Sequence, residues 1–419
     1  MTPRGARETS PRTTRARSRW SRLGMLLGLL LVAWSVGALW RASHLPVSAQ
    51  TPGAAQLPAP VSTIQTLPGM PPVPDPQNLY SETAVGRLSP AVAGALPRVY
   101  VPNVKANTVT VIDSTTLTVI NEFPVGVNPQ HVVPSYDLTT LWVANNAEGL
   151  TTGSLTPIDP TTGKPGRPIP VDDPYNLYFT PDGRSAMVVA EALKRLDFRD
   201  PRTMALQGSI AVPNCAGVNH VDFSIDGKFL IATCEFQSGV VKVDLVERTV
   251  LGYLQLPRGM PQDIRVSPDG QTFFVADMMA GGIHVIDGAR FVITGFLKTG
   301  VGTHGLYPSR DGKKLYVANR GSRQIRGRPK GPGSVAVIDF ASRAVEAVWS
   351  VPGGGSPDMG NVSADGTQLW LSGRFDDVVY VFDTRTGQVT TIPVGKEPHG
   401  LTVWPQPGRY SLGHTGNMR

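Results

Sequence analysis

The stretch Leu141-Trp142-Val143-Ala144-Asn145, an apolar run that ends in a small turn, decides the fold because the chain repeats it. From Val99 to Tyr410 this motif recurs seven times, and an aspartate-terminated strand such as Val109-Thr110-Val111-Ile112-Asp113 follows it. A strand ending in Pro-Val or a similar pair comes next, and a short polar strand then runs into Asp-Gly. Each repeat therefore contains four short strands, which is the composition of a β-propeller blade.

The Asp-Gly turns set the period of this repeat. Their spacings are 45, 44, 43, 42, 54 and 42 residues, close to the roughly 40–50 residues of a propeller blade. The 45 glycines, 38 prolines and 17% charged residues also indicate an all-β chain with many turns. An all-β sandwich would not produce a constant period. The turns begin at Asp182, Asp226, Asp269, Asp311 and Asp365, with degenerate copies at Asp137 and Pro407.

Counting strands by type predicts seven blades and a circular closure. The inner strands start near His131, Asn176, His220, Asp263, His304, Met359 and His399. Their hairpin partners start at Val99, Leu141, Ala186, Leu230, Phe273, Leu315 and Leu369. The first partner precedes its inner strand by the whole domain. We therefore expect the segment His399 to Trp404 to complete the first blade, which leaves no open sheet edge between the first and last blades.

This pattern resembles the YVTN-type propeller repeats of microbial surface-layer and exported proteins. The resemblance covers about three quarters of the chain, from Val99 to the end. It implies the fold and not one function, because that superfamily hosts lactonases, haem-binding reductase domains and plain binding scaffolds. The motifs that carry it are Val99-Tyr100-Val101-Pro102-Asn103, Leu315-Tyr316-Val317-Ala318-Asn319, Val335-Ala336-Val337-Ile338-Asp339, Ser267-Pro268-Asp269-Gly270 and Pro398-His399-Gly400-Leu401.

The formal charge of +7 belongs to the N-terminal segment. Residues 1–49 hold eight arginines and one acid, Glu8, which leaves 31 basic and 31 acidic residues from Gln50 onward. Because the body is neutral, nucleic-acid binding is not expected. Behind the arginines, Leu23 to Leu39 is an uncharged apolar run, and Val47-Ser48-Ala49 follows it. This order predicts either an export signal cleaved after Ala49 or an uncleaved membrane anchor.

We predict five segments along the chain. They are an Arg-rich cytoplasmic region (1–22), a hydrophobic helix that is a signal or transmembrane anchor (23–40), a Pro-rich linker (41–97), the propeller (98–406) and a C-terminal tail (407–419). The positive flank predicts that the body is extracytoplasmic, in the periplasm, at the cell surface or secreted. Ten prolines within residues 51–97 favour an extended tether, and a disordered segment is the alternative.

Polar residues gather where inner strands start and their hairpin partners end, which is one face of the ring. They predict a ligand site at the mouth of the central channel, since imidazoles and carboxylates bind metals or exchange protons. Ordinary turn chemistry is the alternative. Because His131 and His220 precede the next aspartate by six residues and His304 by seven, strand alternation does not require all of them to converge. The candidates are His131, His220, Asp263, His304, Asp358, His399, Glu191, Asp277, Arg320 and Arg374.

Two classes of function fit this face. The first is a binding scaffold that takes a small molecule or an envelope protein. The second is an enzyme, either a lactonase-like hydrolase or a redox protein with a metal ion or a non-covalent haem. The chain has no Cys-x-x-Cys-His, which excludes an attached c-type haem. A lactonase-like set would combine His304 or His399 with Glu191 or Glu235 and with Arg320 or Arg374.

Two further features attract attention. Cys215 and Cys234 lie near one hairpin, and in an exported protein they predict a disulfide, with a pair of buried thiols as the alternative.

The longest repeat carries an insertion, residues 320–333, that is rich in basic side chains. It is either a solvated hairpin, a docking loop for an anionic partner or one wall of the binding site. Its basic residues after Arg320 are Arg323, Arg326, Arg328 and Lys330.

Overall fold

Seven antiparallel sheets form the folded unit in the computed structural model, which describes residues 64–414 and 416–419. Each sheet is one blade of a seven-bladed propeller, so the predicted all-β fold is confirmed. The hydrophobic helix predicted over residues 23–40 lies outside the described residues. Within the described part of the chain, no helix is both long and apolar enough to cross a membrane.

The strands follow the predicted repeat. Blade one holds β1 (Arg98–Asn103), β2 (Thr108–Asp113) and β3 (Thr118–Pro124). Blade two holds β4 (Pro129–Pro134), β5 (Leu141–Asn145), β6 (Thr152–Asp159), β7 (Lys164–Pro165) and β8 (Ile169–Asp172). Blade three holds β9 (Pro174–Phe179), β10 (Ala186–Ala190), β11 (Arg195–Arg199) and β12 (Leu206–Ala211). Blade four holds β13 (Val218–Phe223), β14 (Phe229–Cys234), β15 (Gly239–Asp244) and β16 (Thr249–Gln255).

The remaining blades have four strands each. Blade five holds β17 (Pro261–Val266), β18 (Thr272–Asp277), β19 (Gly282–Asp287) and β20 (Val292–Lys298). Blade six holds β21 (Thr303–Pro308), β22 (Lys314–Asn319), β23 (Ser334–Asp339) and β24 (Val345–Ser350). Blade seven holds β25 (Pro357–Val362), β26 (Gln368–Gly373), β27 (Val378–Asp383) and β28 (Val389–Pro393), and β29 (Thr402–Trp404) follows. Short 3₁₀ helices span Ser81–Thr83, Pro90–Val92 and Glu235–Gln237.

Strands from both ends of the propeller meet in blade one. β29 pairs antiparallel with β1, so that Arg98 lies opposite Trp404 and Tyr100 lies opposite Thr402. The sheet order is β29-β1-β2-β3. The inner strand of blade one therefore comes from the last part of the chain and its other three strands from the first.

Polar side chains of the inner strands bind the backbone of the next blade. Each such bridge satisfies a buried N–H that the inner strand cannot pair within its own sheet. These contacts link neighbouring blades around the channel by hydrogen bonds as well as by apolar packing. The acceptors and donors are Tyr178 Oη and Val221 N (2.9 Å), Asp222 Oδ2 and Val266 N (2.8 Å), Asp263 Oδ2 and Leu306 N (2.9 Å), Tyr307 Oη and Gly360 N (2.8 Å), and Asn361 Oδ1 and Val403 N (2.8 Å).

Part of the predicted linker packs on the propeller. Leu67 N donates to Asp226 O at 2.7 Å, and Leu79 N donates to Pro268 O at 2.8 Å. Tyr80 is buried and its hydroxyl donates to Val266 O at 2.6 Å. Leu67, Leu79 and Tyr80 are therefore held on the folded unit and do not belong to a free spacer, and the side chains of Leu79 and Tyr80 enter the core of the blades. Residues 41–63, the rest of the predicted linker, lie outside the described part.

The C-terminal tail enters the ring. Gly413 forms a bridge with Tyr178 of β9, and His414 N donates to Leu177 O at 3.0 Å. The last residue is also anchored, because Arg419 Nη2 lies 2.9 Å from Asp222 Oδ1. The tail, which the sequence analysis treated as a separate segment, therefore contributes residues to the channel.

A disulfide joins Cys215 and Cys234, whose Cα atoms are 4.7 Å apart. Cys234 ends β14, and Glu235 at the channel mouth follows it directly. The bridge therefore holds the loop that precedes β13 against the strand end that carries Glu235.

Candidate functional site

β-bulges at the starts of two inner strands bring His220 and His304 to the channel. In β13 two residues, including His220, lie opposite one residue of β14, and the same is true of His304 in β21. A bulge suspends the strict alternation of strand side chains. The one-residue difference in phase between His220 and His304 therefore does not turn either ring away. His131 and His399 join them, and all four are almost completely buried.

A fifth histidine, His414 of the tail, completes what we call the histidine cluster (His131, His220, His304, His399 and His414). The ring of His131 lies 5.6 Å from that of His220, 4.8 Å from that of His399 and 5.0 Å from that of His414. The His220 ring lies 4.7 Å from His414 and 6.4 Å from His304. Five imidazoles from four inner strands and the tail thus share one buried volume.

Burial lowers the pKa of all five imidazoles, because a charged ring would lose its hydration. The effect is strongest for His131, His220 and His399, whose pKa values lie well below 6.5. The positive fields of neighbouring histidines and of arginines add to it. The cluster is therefore neutral at pH 7, and each neutral ring carries one nitrogen lone pair.

The rings of His131 and His220 are poorly satisfied. Among the described residues, neither ring nitrogen of either side chain has a hydrogen-bond partner, although both side chains are fully buried. Buried polar groups in folded proteins are almost always paired with protein, water or an ion. These two rings are therefore available for a ligand.

Two buried aspartates lie beside the cluster. Asp358 Oδ1 lies 2.9 Å from His304 Nδ1 and 3.4 Å from Arg320 Nε. Burial alone would raise the pKa of Asp358, but Arg320 and His304 hold it well below its ordinary value. Asp263 lies 3.5 Å from Arg265 Nη2 and 3.6 Å from His414 Nε2. Burial opposes ionisation of Asp263 as well, yet Arg265 and His414 lower its pKa.

A small cavity of about 120 Å³ opens above the cluster at the predicted mouth of the channel. Arg374 Nε and Nη2 donate to Glu397 Oε1 at 3.2 and 3.1 Å, which fixes the guanidinium. Burial and the neighbouring Glu235 raise the pKa of Glu191 well above 4.5. The lining residues are Gln130, Asn146, Glu148, Tyr175, Glu191, Glu235, Phe236, Gln262, His304, Arg320, Ile325 and Arg374.

The structure divides the sequence candidates into three groups. Glu191, His304, Arg320 and Arg374 line the mouth cavity. The others except Asp277 lie in the channel beneath it, namely His131, His220, Asp263, Asp358 and His399.

Asp277 is the third group, because it belongs neither to the lining of the mouth cavity nor to the set beneath it. Its carboxylate accepts a hydrogen bond from Met260 N at 3.0 Å and contacts His284 Nε2 at 3.0 Å, on the third strand of blade five. It therefore satisfies groups of its own blade. Asn145 at the end of β5 behaves in the same way, since its amide bonds Thr156 Oγ1 of its own hairpin at 3.0 Å.

Sequence reasoning missed His414 because it lies outside the repeat. The only sequence signal near His414 is that Tyr410 and Leu412 are apolar at alternating positions, as the buried residues of a strand would be. One of the three interpretations of the insertion was that it forms a wall of the site. Arg320 and Ile325 both line the cavity, and Arg320 Nη2 donates to Ile325 O at 3.1 Å.

Comparisons with known proteins support the same fold. A search of curated proteins finds no match to this chain. Among solved structures, the periplasmic gluconolactonase PpgL of Pseudomonas aeruginosa is 21% identical with a TM-score of 0.58, and the alignment covers 73% of this chain and 98% of that one. A putative 6-phosphogluconolactonase from Bacteroides uniformis is 16% identical, with the same TM-score and coverage. Kuenenia stuttgartiensis hydrazine synthase is 20% identical with a TM-score of 0.54, covering 73% and 94% of the two chains.

At these identities the likeness concerns the fold alone. The family assignment rests on a separate match, in which the model for YNCE-like beta-propellers covers residues 69–407, a range that includes all seven blades. The predicted YVTN-type repeat is thereby confirmed. The chain belongs to the YNCE-like beta-propeller family.

Proposed function

We propose that this protein is a binding propeller whose channel mouth takes a small hydroxylated carboxylate, such as a sugar acid. The observation that carries the proposal is the pair of arginines, Arg320 and Arg374, in a cavity whose other lining residues are mostly polar, with three amides and three carboxylates among them. A guanidinium has five N–H donors in a planar fork that matches a carboxylate. Glu397 takes two donors of Arg374, so others remain for a ligand.

The opposite wall suits hydroxyl groups. Glu235 is held by Gln262 Nε2 at 3.0 Å and by Asn219 Nδ2 at 3.2 Å, which orients its oxygens. Carboxylate oxygens accept hydrogen bonds from alcohols, amide groups both accept and donate them, and fixed groups lose little entropy on binding. A ligand with a carboxylate at one end and hydroxyls at the other would satisfy both walls.

The size of the cavity favours a small ligand. At about 120 Å³ it is smaller than the roughly 300–1,000 Å³ of pockets for drug-sized molecules. A haem needs more room than this. The cavity therefore supports the small-molecule alternative from the sequence over the haem alternative.

A lactonase-like hydrolase is the second candidate. Glu191, Glu235, His304 and Arg374 line one cavity, so members of the proposed His, Glu and Arg set are close together. A carboxyl group with a raised pKa, as in Glu191, suits general acid–base catalysis. Hydrolysis of a sugar-acid lactone would yield the free sugar acid, which is the proposed ligand, as its product.

Calorimetric titration of the full chain with gluconate tests the proposal, with D-glucitol as the matched ligand that lacks the carboxylate. We expect gluconate to bind, glucitol to bind at least about tenfold more weakly, and Arg374→Gln to weaken gluconate binding by about 10–100-fold, because a hydrogen bond to a charged group is lost. Arg323→Gln, an exposed arginine of the insertion, is the matched control.

Equal affinity for gluconate and glucitol, or an unchanged affinity in Arg374→Gln, would contradict the proposal. The same preparation should be given δ-gluconolactone while acid release is followed. Hydrolysis that Glu191→Gln lowers by about 100-fold or more, with gluconate binding retained, would favour the hydrolase instead.

We also propose that the chain is exported and stays near the membrane or is secreted. The arginine flank, the apolar run over residues 23–40 and the disulfide support this, because disulfides persist in oxidising compartments.

In cells that make the full chain, fractionation should recover the protein outside the cytoplasm with no free thiols under denaturing alkylation. Replacing Leu30 by arginine interrupts the apolar run and should retain the protein in the cytoplasm with reduced cysteines, whereas Leu30→Val should be exported as usual. Cytoplasmic recovery of the unaltered chain would overturn the proposal.

A further inference from the structure

We infer that His131, His220 and His414 form a binding site for a first-row transition metal ion, Cu²⁺ or Zn²⁺, in the central channel. Each side chain offers one ring nitrogen, and the three nitrogens lie within 4.8 Å of one another. Three imidazoles bound to a metal at about 2.0–2.1 Å would have their nitrogens roughly 3.4 Å apart. The present separations, at most 4.8 Å, exceed that spacing by no more than about 1.4 Å.

The unpartnered rings are the second and independent observation. His131 and His220 are fully buried, and both nitrogens of each lack a hydrogen-bond partner among the described residues. A polar group left in this condition costs about 1–3 kcal/mol. Two such side chains lie next to one another, and a bound cation would accept a nitrogen lone pair from each ring.

The hydrogen bonds of His414 fix the tautomer of its ring and place a carboxylate beside one ring nitrogen. Its Nδ1 lies 3.0 Å from Asn176 Nδ2, and Asn176 Oδ1 accepts from Leu177 N, so the amide nitrogen faces the ring. Because an amide nitrogen donates, Nδ1 carries the lone pair and Nε2 the proton. A metal ion at Nδ1 would take the place of the Asn176 amide, whose Nδ2 also lies 3.5 Å from Tyr178 Oη. That proton faces Asp263, 3.6 Å away. A carboxylate behind the second nitrogen of a ligating histidine is the usual outer contact of metal sites.

The neighbouring triad, His304, Asp358 and His399, is a poorer choice although its ligand atoms are equally close. Arg320 Nε lies 3.4 Å from Asp358 Oδ1, so a guanidinium already compensates this carboxylate. A divalent ion bound there would be repelled by Arg320. In the triad that contains the tail histidine, all three ligands are imidazoles, and Arg265 pairs at 3.5 Å with Asp263, which lies behind His414 and is not one of the ligands.

The ligand set defines the class of metal. Three neutral imidazoles suit Zn²⁺ and Cu²⁺, whereas Ca²⁺ and Mg²⁺ require oxygen ligands. Three protein ligands also leave at least one coordination position open. His304 lines the mouth cavity and its ring lies 6.4 Å from that of His220, so the proposed site is close to the mouth cavity.

The proposed site does not depend on the ligand proposed for the mouth cavity. It does assign a role to the tail, because residues 407–419 bring one of the three ligands. A metal ion would join β4, β13 and the tail across the channel.

The test uses the full chain, stripped with chelator and titrated with Zn²⁺ and separately with Cu²⁺ by calorimetry, with elemental analysis of the product. We expect one ion per chain, and a loss of more than about 100-fold in affinity for His220→Ala and for His414→Ala, since even outer contacts of metal sites contribute 10–100-fold. His284→Ala removes a buried histidine outside the cluster and should bind normally.

Two other binding results would overturn the proposal. Normal binding by His414→Ala together with loss in His304→Ala would overturn the proposal in favour of the other triad. Binding of less than 0.2 equivalents of both metals by the folded chain would overturn it outright. If an alanine variant fails to fold, electron paramagnetic resonance of the Cu²⁺ form of the unaltered chain decides. Hyperfine coupling to imidazole nitrogens supports the site, and its absence overturns it.

Discussion

Acidification from pH 7.5 to 5 should unfold the metal-free protein steeply. Burial lowers the pKa of the five histidines of the cluster in the folded state, whereas unfolding returns them to about 6.5. Below pH 6.5 the unfolded chain therefore binds more protons than the folded one. The stabilisation is fully present above pH 6.5 and is lost as the pH falls toward the folded-state pKa values.

The expected effect is large. Each histidine that is protonated only on unfolding lowers the free energy of unfolding by about 1.4 kcal/mol per pH unit. Several such groups together remove much of a typical 5–15 kcal/mol of stability within one to two pH units. Asp358 adds nothing in this range, because the lowered pKa of a carboxylate matters only below about pH 4.

Urea denaturation in the presence of chelator, from pH 8 to pH 5, measures this slope. Stability should be nearly constant between pH 8 and 7.5, which is the internal control. His131→Gln should reduce the slope between pH 6 and 5 by about 1.4 kcal/mol per pH unit, whatever it does to stability at pH 8. A free energy of unfolding that stays constant down to pH 5 would contradict the prediction.

Replacing Asp263 by alanine should be among the most destabilising single changes. Arg265 is only 1% exposed and lies 3.5 Å from the Asp263 carboxylate. Asp263 Oδ2 also accepts the Leu306 N–H of the next blade at 2.9 Å. The alanine variant leaves a buried cation without its partner, and we expect a loss of about 3–5 kcal/mol in the free energy of unfolding.

A double variant separates this effect from simple loss of packing. Asp263→Ala with Arg265→Met removes both charges and should be more stable than Asp263→Ala alone, because no buried cation remains. Thermal and urea denaturation of the two variants and the unaltered chain give the comparison. Equal destabilisation in the single and double variants would show that the Leu306 contact, and not the charge, determines the loss.

The fold was predictable because its signals repeat. Val99, Leu141 and Leu315 open three copies of one motif, and the strands observed there begin within one residue of those positions. The sequence of one short strand indicates a strand only weakly, but the same pattern repeated at a regular period is a clear signal. It also predicted which face would be polar, since every copy has the same orientation in the ring.

The site was predictable only in part. The bulges that turn both His220 and His304 to the channel depend on local backbone geometry that a period-two rule cannot express. His414 belongs to no repeat, so nothing in the period located it. Asp277 was expected beside the other candidates, but its carboxylate accepts hydrogen bonds from Met260 N and Ala280 N of its own blade, because the end of a strand is also where an aspartate satisfies its own turn.

The pairing of β29 with β1 has a consequence for biosynthesis. β1 ends at Asn103 and β29 begins at Thr402, so about 300 residues separate their appearance from the ribosome. At roughly 5–20 residues per second, the edge of β1 waits on the order of 15–60 s for its partner. An unpaired edge of this kind recruits other chains. A chaperone that delays folding until translation has ended would therefore benefit this protein more than folding on the ribosome.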